Sequence, residues 1–329
     1  MSQWLNHVLE RASTVDDWLS PVRAQALDTL KQQQWPTRRT EAWRYTSLHP
    51  VADLELKSGT GNATAEAPVI EGLNSLDLVF VDGQLSTDIS KLKLPEGITI
   101  SELSAPSEPA EAIFAQVKPS RHLFGLVNDV LAQQGVVIDI AAGAKVEQPI
   151  RIVNFASAGI ESHQRTLVRV GENAQATIIE HGSGSGNSLN TVFAEYDIAE
   201  KARLEHYRFA LHEGEAIHIG GSHFKLHDHA RLNSTLIGYG SQLTRLDVDI
   251  EHAGEHAFAK FNNVYLLAPR QHFDLHSTIE HASPNGTTEE NARGIIGDRA
   301  KAVFNGRIHI HSHAQKTLAE LNNRNLLLT

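Results

Sequence analysis

A short line of text recurs seven times between Ile138 and Lys316 and limits what this chain can fold into. It reads IDIAAGAKV at 138–146, VRVGENAQA at 168–176, YDIAEKARL at 196–204, FKLHDHARL at 224–232, VDIEHAGEH at 248–256, GIIGDRAKA at 294–302 and IHIHSHAQK at 308–316. Each copy passes from apolar to polar residues and reaches an alanine: Ala144, Ala174, Ala202, Ala230, Ala253, Ala300 and Ala314. The spacings are 30, 28, 28, 23, 47 and 14 residues. The 47 leaves room for a degenerate copy, LLAPRQHFD at 266–274, with Gln271 at the alanine position. Imperfect repetition at about 25–30 residues is the mark of stacked coils.

The residues around each copy choose among solenoids. Apolar and polar residues alternate in Leu167-Val168-Arg169-Val170 and again in Ala176-Thr177-Ile178-Ile179. That is the period of a strand, and no helical period is sustained over 165–329. The reading is a parallel β-helix, or β-solenoid, over 135–329, with small residues at its turns where larger side chains lack room.

Composition excludes several function classes. A formal charge of −10 opposes nucleic acid or an acidic membrane surface as a direct partner. The 329 residues contain no apolar run of membrane-spanning length. MSQWLNHVLERAS lacks the basic and apolar regions of a secretory signal, so a cytoplasmic address is expected. Cysteine is absent, which removes disulfides, thiolate nucleophiles and Cys-ligated metal from this chain.

Residues 1–134 read as a mostly helical domain with a small β-hairpin that caps the solenoid. Trp4, Leu5, Val8, Leu9 and Ala12 make a helical stripe, and Ser20-Pro21 reads as an N-cap followed by a first-turn proline. The segment 36–46, PTRRTEAWRYT, is expected to pack Trp43 and Tyr45 while its arginines pair with Glu41. A linker is expected at 57–68 and a hairpin with an Asp82-Gly83 turn at 76–86. A helix over 121–134 should end at Gly135 and close the first coil.

Histidine is the main candidate chemistry. Fourteen of the 19 histidines lie from His206 onward. His309, His311 and His313 alternate, so a straight strand would put them on one face, as it would His227 and His229. Imidazoles so spaced can hold iron or zinc if a carboxylate joins them; the simpler reading is a solvated or interfacial face, because Ile308 and Ile310 point the other way. Five Glu-His dipeptides should place their two side chains on opposite faces and so build no shared site. His181–Asn187 reads as a glycine-rich loop between coils, and Asn305-Gly306 as a turn. Asn322 and Asn325 are expected to hydrogen-bond along the stack or across a dimer contact.

Five blocks carry a family resemblance: PTRRTEAWRYTSL (36–48), LVFVDGQ (78–84), 126–152, DRAKAVFNGRIHIHSHAQKT (298–317) and NNRNLLLT (322–329). Together they resemble the SufB/SufD family of iron–sulfur cluster assembly proteins, the first block pointing to its SufD side. The resemblance implies a right-handed parallel β-helix behind an N-terminal helical domain. It implies a non-enzymatic scaffold that pairs with a SufB-like paralogue and acts with a SufC-like ATPase. No cofactor is expected to be held stably by this chain alone; iron or an iron–sulfur cluster would need a partner.

The family's cluster-handling Cys or His segment and its SufC-docking helical domain follow the NLLL block and have no counterpart in this sequence. The apolar strand at the end is therefore expected either to continue in a longer chain or to meet a partner, a paralogue or a second copy. Asn305, Gly306, Asn322, Asn325, Leu326, Leu327 and Leu328 are the expected contact residues. The alternative is a carbohydrate-active, pectate-lyase-like β-helix enzyme, disfavoured by the missing signal and scattered acids.

Overall fold

The computed structural model describes residues 2–59 and 65–328, so residues 60–64 of the expected linker lie outside the described residues. Helices α1 (Gln3–Ala12), α2 (Ser20–Gln32) and α3 (His49–Ala52) come first, then β1 (Lys57–Ser58). The hairpin β2 (Leu76–Val81) and β3 (Gln84–Leu85), strand β4 (Ile98–Glu102), and helices α4 (Ala110–Ile113) and α5 (Leu123–Leu131) follow. Next come β5 (Gln134–Ile140), β6 (Ile150–Phe155), β7 (Ile160–Val170), β8 (Gln175–Gly184), β9 (Ser188–Ile198), β10 (Arg203–His212) and β11 (Ala216–Leu226). The last are β12 (Arg231–Tyr239), β13 (Leu243–His252), β14 (Phe258–Leu267), β15 (His272–His281), β16 (Thr287–Ile296), β17 (Lys301–Ile310) and β18 (Leu318–Leu327).

Odd-numbered strands from β5 to β17 stack in parallel as one sheet and even-numbered strands from β6 to β18 as another. The chain therefore winds as a parallel β-solenoid of about seven turns. The register is continuous from rung to rung: Val168 lies beside Tyr196, which lies beside Phe224, which lies beside Ile250. The inward residues of both sheets make one apolar core that includes Ile138, Val168, Tyr196, Phe224, Leu246, Phe261 and Leu275.

The corner from the first sheet to the second explains the repeated line and corrects its register. Each corner holds one residue in the left-handed region: Gly143, Asn173, Lys201, His229, His256, Asn285 and Lys316. The residue after it is Ala144, Ala174, Ala202, Ala230, Ala257, Gly286 and Thr317, spaced by 30, 28, 28, 27, 29 and 31 residues. Ala253 and Ala314 instead sit earlier in longer corners. Ala300 and Gln271 follow the left-handed Arg299 and Arg270 at the opposite corner, between β16 and β17 and between β14 and β15. Two different corners share the same text, which produced the irregular 47 and 14 spacings. Corner amides also bond along the stack, Asn173 N donating to Glu200 O at 3.0 Å and Lys201 N to Asp228 O at 2.9 Å.

The first coil is covered by strands. β4 pairs antiparallel with β5, and β2 pairs in parallel with β6. The Asp82-Gly83 hairpin forms as expected, with φ of 52° and 79°. The helix expected at 121–134 stops at Leu131, because Gln134 and Gly135 already belong to β5. It does not close the coil: α5 lies flat across the outward face of β7, β9 and β11. Trp4, Trp43 and Phe124 there share an apolar cluster with Leu189, Phe193 and Ile219 of the sheet. Ser20 is the first residue of α2 and Leu19 its N-cap, one position earlier than the sequence suggests.

The Arg- and Trp-rich segment is a strap. Trp43 is buried, and the guanidinium over its ring, 4.1 Å from the centroid, is that of Arg245 on β13. Thr46 Oγ1 donates to Asp274 Oδ2 at 2.5 Å. Among the described residues, Glu41 makes no ion pair with the segment's own arginines. No helix among the described residues is long and apolar enough to cross a membrane.

Candidate functional site

The last coil, β17 and β18, leaves its inner row half open. Rung pairing places Phe304 beside the buried Leu275, Ile308 beside Ile279, Leu321 beside Glu290 and Leu327 beside Ile296. These inward residues meet no further rung among the described residues, and Leu321 and Leu327 are 38% and 66% exposed. Leu326 and Leu328 emerge on the outward face, also exposed. Asn305 and Gly306 are not a turn; both lie inside β17, opposite His276 and Ser277. A Cβ at Gly306 would come 2.5 Å from Leu321 Cδ1, so a larger residue there would push that half-exposed side chain aside. Asn325 Oδ1 accepts from Tyr265 Oη at 2.6 Å, and Asn322 contributes its carbonyl to Arg293. Both bond along the stack. The expected contact residues thus occupy two faces and one free edge of the same coil.

The three alternating histidines stay neighbours, with ring centroids 4.5 Å apart for His309–His311 and 5.8 Å for His311–His313, but only His309 lies within the strand. β17 ends at Ile310, so His311 and His313 belong to the corner that follows. His313 Nε2 lies 2.8 Å from Ala282 O and is spent on the backbone. His309 and His311 instead approach Glu280, the rung neighbour of His309 on β15. One ligand atom from each of the three lies within 4.8 Å of the other two, on a half-exposed surface beside the open coil. Sequence reading missed Glu280 because it sits one coil away; the parallel register is the signal that would have found it.

His227 and His229 part company. His227 Nε2 meets Asp197 at 2.7 Å, which raises its pKa above the ordinary value through that hydrogen bond. His229 occupies a left-handed corner and stacks on His256 at 4.9 Å.

Inside the solenoid, buried polar side chains accompany the apolar core. Glu180 is a hub among them: Oε1 accepts from Tyr196 Oη at 2.9 Å and Ser222 Oγ at 2.7 Å and lies 2.9 Å from His206 Nε2. Arg208 Nη1 donates to its other oxygen at 2.9 Å. Burial alone would raise this carboxyl, but Arg208, His206 and Ser222 hold it at about 2. His212 and His218 stack 4.0 Å apart. Burial, with Arg208 adding to it, pushes His212 down to about 3 and His218 well below the ordinary range, so both are neutral. Four of the five Glu-His dipeptides lie in strands, Glu255-His256 being in a corner, and members of different dipeptides meet between rungs, as Glu180 with His206 and His252 with His281. The glycine-rich stretch is mostly strand, since β8 runs through Gly184.

Comparison with known proteins places this architecture. Residues 6–152 match the SufBD protein N-terminal region, and residues 153–329 match the SufBD core domain of the SUF iron–sulfur cluster assembly system. The chain belongs to the SufBD family. Over 97% of its length it is similar, at 27% identity, to an iron–sulfur cluster assembly SufBD family protein of Synechocystis sp., of which 75% is covered. It is similar at 26% identity over its whole length to the iron–sulfur cluster assembly protein SufD of Escherichia coli, covering 77% of that protein. It is also 24% identical to the chloroplastic protein ABCI7 of Arabidopsis thaliana, covering 74% of it. SufBD membership displaces the carbohydrate-active reading and agrees with the resemblance carried by the five sequence blocks.

Proposed function

We propose that this SufBD-family chain is a scaffold subunit that pairs through its open coil with a SufB-like paralogue and acts with a SufC-like ATPase. The observation that carries the reading is the match of residues 6–152 and 153–329 to the two SufBD family regions; the coil β17–β18 adds strand edges and an inner row, with Leu321 and Leu327, that stand exposed among the described residues. Unpaired edges of this kind bind another strand readily. A paralogue with the same coil geometry offers matching edges and a matching inner row, so the two solenoids would join as one longer stack. A second copy of this chain is the competing occupant.

With no cysteine, the chain supplies no thiolate to a cluster. Glu280, His309 and His311 lie beside the pairing coil, where they offer oxygen and nitrogen ligands to iron as cargo, completed by groups of the partner. The role needs no catalytic residue in this chain. Co-expression with a SufB-like paralogue and a SufC-like ATPase, followed by size-exclusion chromatography with light scattering, tests it. A stable hetero-complex is expected; a chain that stays apart from both proteins overturns the proposal.

A further inference from the structure

A second histidine–carboxylate group lies in the seam between the helical layer and the first sheet. His122 is the N-cap residue of α5, His223 is on β11 and Asp249 is on β13. His223 and Asp249 are rung neighbours, so their side chains stand side by side on the outward face. His122 reaches down to them from the helix start. Its Nε2 lies 2.7 Å from Asp249 Oδ2, and His223 Nδ1 lies 2.8 Å from that same oxygen. One ligand atom from each of the three falls within 4.8 Å of the other two.

We propose that His122, His223 and Asp249 bind a divalent first-row transition ion that fastens the N-terminal helical layer to the solenoid. Two imidazoles and one carboxylate converging from one side are a donor set suited to iron(II), cobalt(II) or zinc(II). The set is preformed: His223 is fully buried, and Asp249 is nearly so.

Outer partners are also in place. Asp247 Oδ1 lies 3.7 Å from His122 Nδ1, the ring nitrogen turned away from Asp249, and Asp247 is itself held by Arg245 at 3.0 Å. Arg121 takes the other oxygen of Asp249, leaving Oδ2 for the ion. The His122 side chain, 12% exposed, forms the entry from solvent. Opening the two contacts by about half an ångström makes room for ligand bonds near 2.1 Å. An ion here would tie three separated stretches of chain together, and its binding energy would add to the stability of the docked layer.

The test uses the whole chain, stripped with chelator and titrated with cobalt(II) and, separately, zinc(II). One equivalent of cobalt should give a visible ligand-field absorption, and zinc in hundred-fold excess over its Kd should raise the melting midpoint by several degrees. His122→Gln, at the rim, and His223→Gln should each weaken binding at least tenfold and remove the midpoint shift. The double variant His309→Gln/His311→Gln should keep both signals. Absence of the cobalt band in the stripped protein, unweakened binding in His122→Gln, or loss of signal only in the His309/His311 variant would each overturn the proposal. Should His223→Gln fail to fold, His122→Gln alone decides the matter.

Discussion

Ser277 donates its hydroxyl to Glu290 Oε1 at 2.5 Å across the inside of the solenoid, from β15 to β16. It is the sole hydrogen-bond partner of that carboxyl among the described residues, and the second oxygen, buried, has none. A lone hydroxyl does not replace the water lost on burial. Burial therefore pushes the Glu290 pKa up to about 7, against a smaller downward pull from Ser277.

The consequence is a stability term with a definite sign. A carboxyl whose folded pKa is raised favours the folded state below its unfolded value near 4.5, and that contribution is lost as pH rises through about 7. The loss is on the order of 3 kcal/mol across the window. Glu290→Gln, which is neutral at every pH, should be more stable than the parent at pH 8 and nearly equal to it at pH 4.5. Urea denaturation of both proteins at the two pH values checks this. A stability difference that does not change with pH would show that Glu290 stays charged in the folded protein.

Ala230 is fully buried at an alanine corner, after the left-handed His229. Its amide bonds to His227 O at 3.1 Å, and its carbonyl accepts the next rung's Phe258 N at 2.9 Å. Neither the turn nor the adjacent rungs can yield independently. Ala230→Leu should destabilise the fold by roughly 1–3 kcal/mol through overpacking. An unchanged denaturation midpoint would mean that the corner has room to spare.

Glu195 fixes the approach to α5. It is fully buried on β9, and its carboxylate accepts from the backbone amides of Ala115 at 2.8 Å, Val117 at 2.9 Å and Lys118 at 2.8 Å. Ala115 holds a φ of 56°, unusual for a residue with a side chain, so the loop needs that anchor. Glu195→Ala would leave three amides without partners and the buried Arg165 less compensated. A loss of about 3–5 kcal/mol is expected, with faster proteolysis between residues 113 and 122. Proteolysis at the parent rate would place the anchor elsewhere.

Much of this was legible in the sequence. Alternation in Leu167–Val170 gave strands, and the alanine line gave coils of nearly the right length. Two things hid. The line could not distinguish opposite corners, because Arg299-Ala300 and His229-Ala230 meet the same need for a left-handed residue followed by a small one. Alternation also says which residues point outward but not what lies outside. Arg165, Glu195, His223 and Asp249 fall on the outward side of their strands, yet the helical layer covers them and all four are buried. Glu280 was missed for a related reason. Its neighbour His309 is 29 residues away in the chain and next to it in the sheet.

The pairing coil yields the last prediction. Leu327 points along the inner row, beside Ile296, but is 66% exposed because no rung follows it among the described residues. A change there removes little buried contact within the chain, so Leu327→Lys should leave the melting midpoint within about 1 °C. In a continuous stack with a partner, the same position would be closed over, and a lysine would bring an unpaired charge into the joint. Association with a SufB-like paralogue should weaken at least tenfold, read by sedimentation velocity at several concentrations. Glu320→Lys, on the outward face of the same strand, shifts the charge by two units, more than Leu327→Lys does, but without entering the inner row, and should weaken pairing far less. Equal loss in both variants would point to net charge at the coil, and no loss in either would remove this coil from the interface.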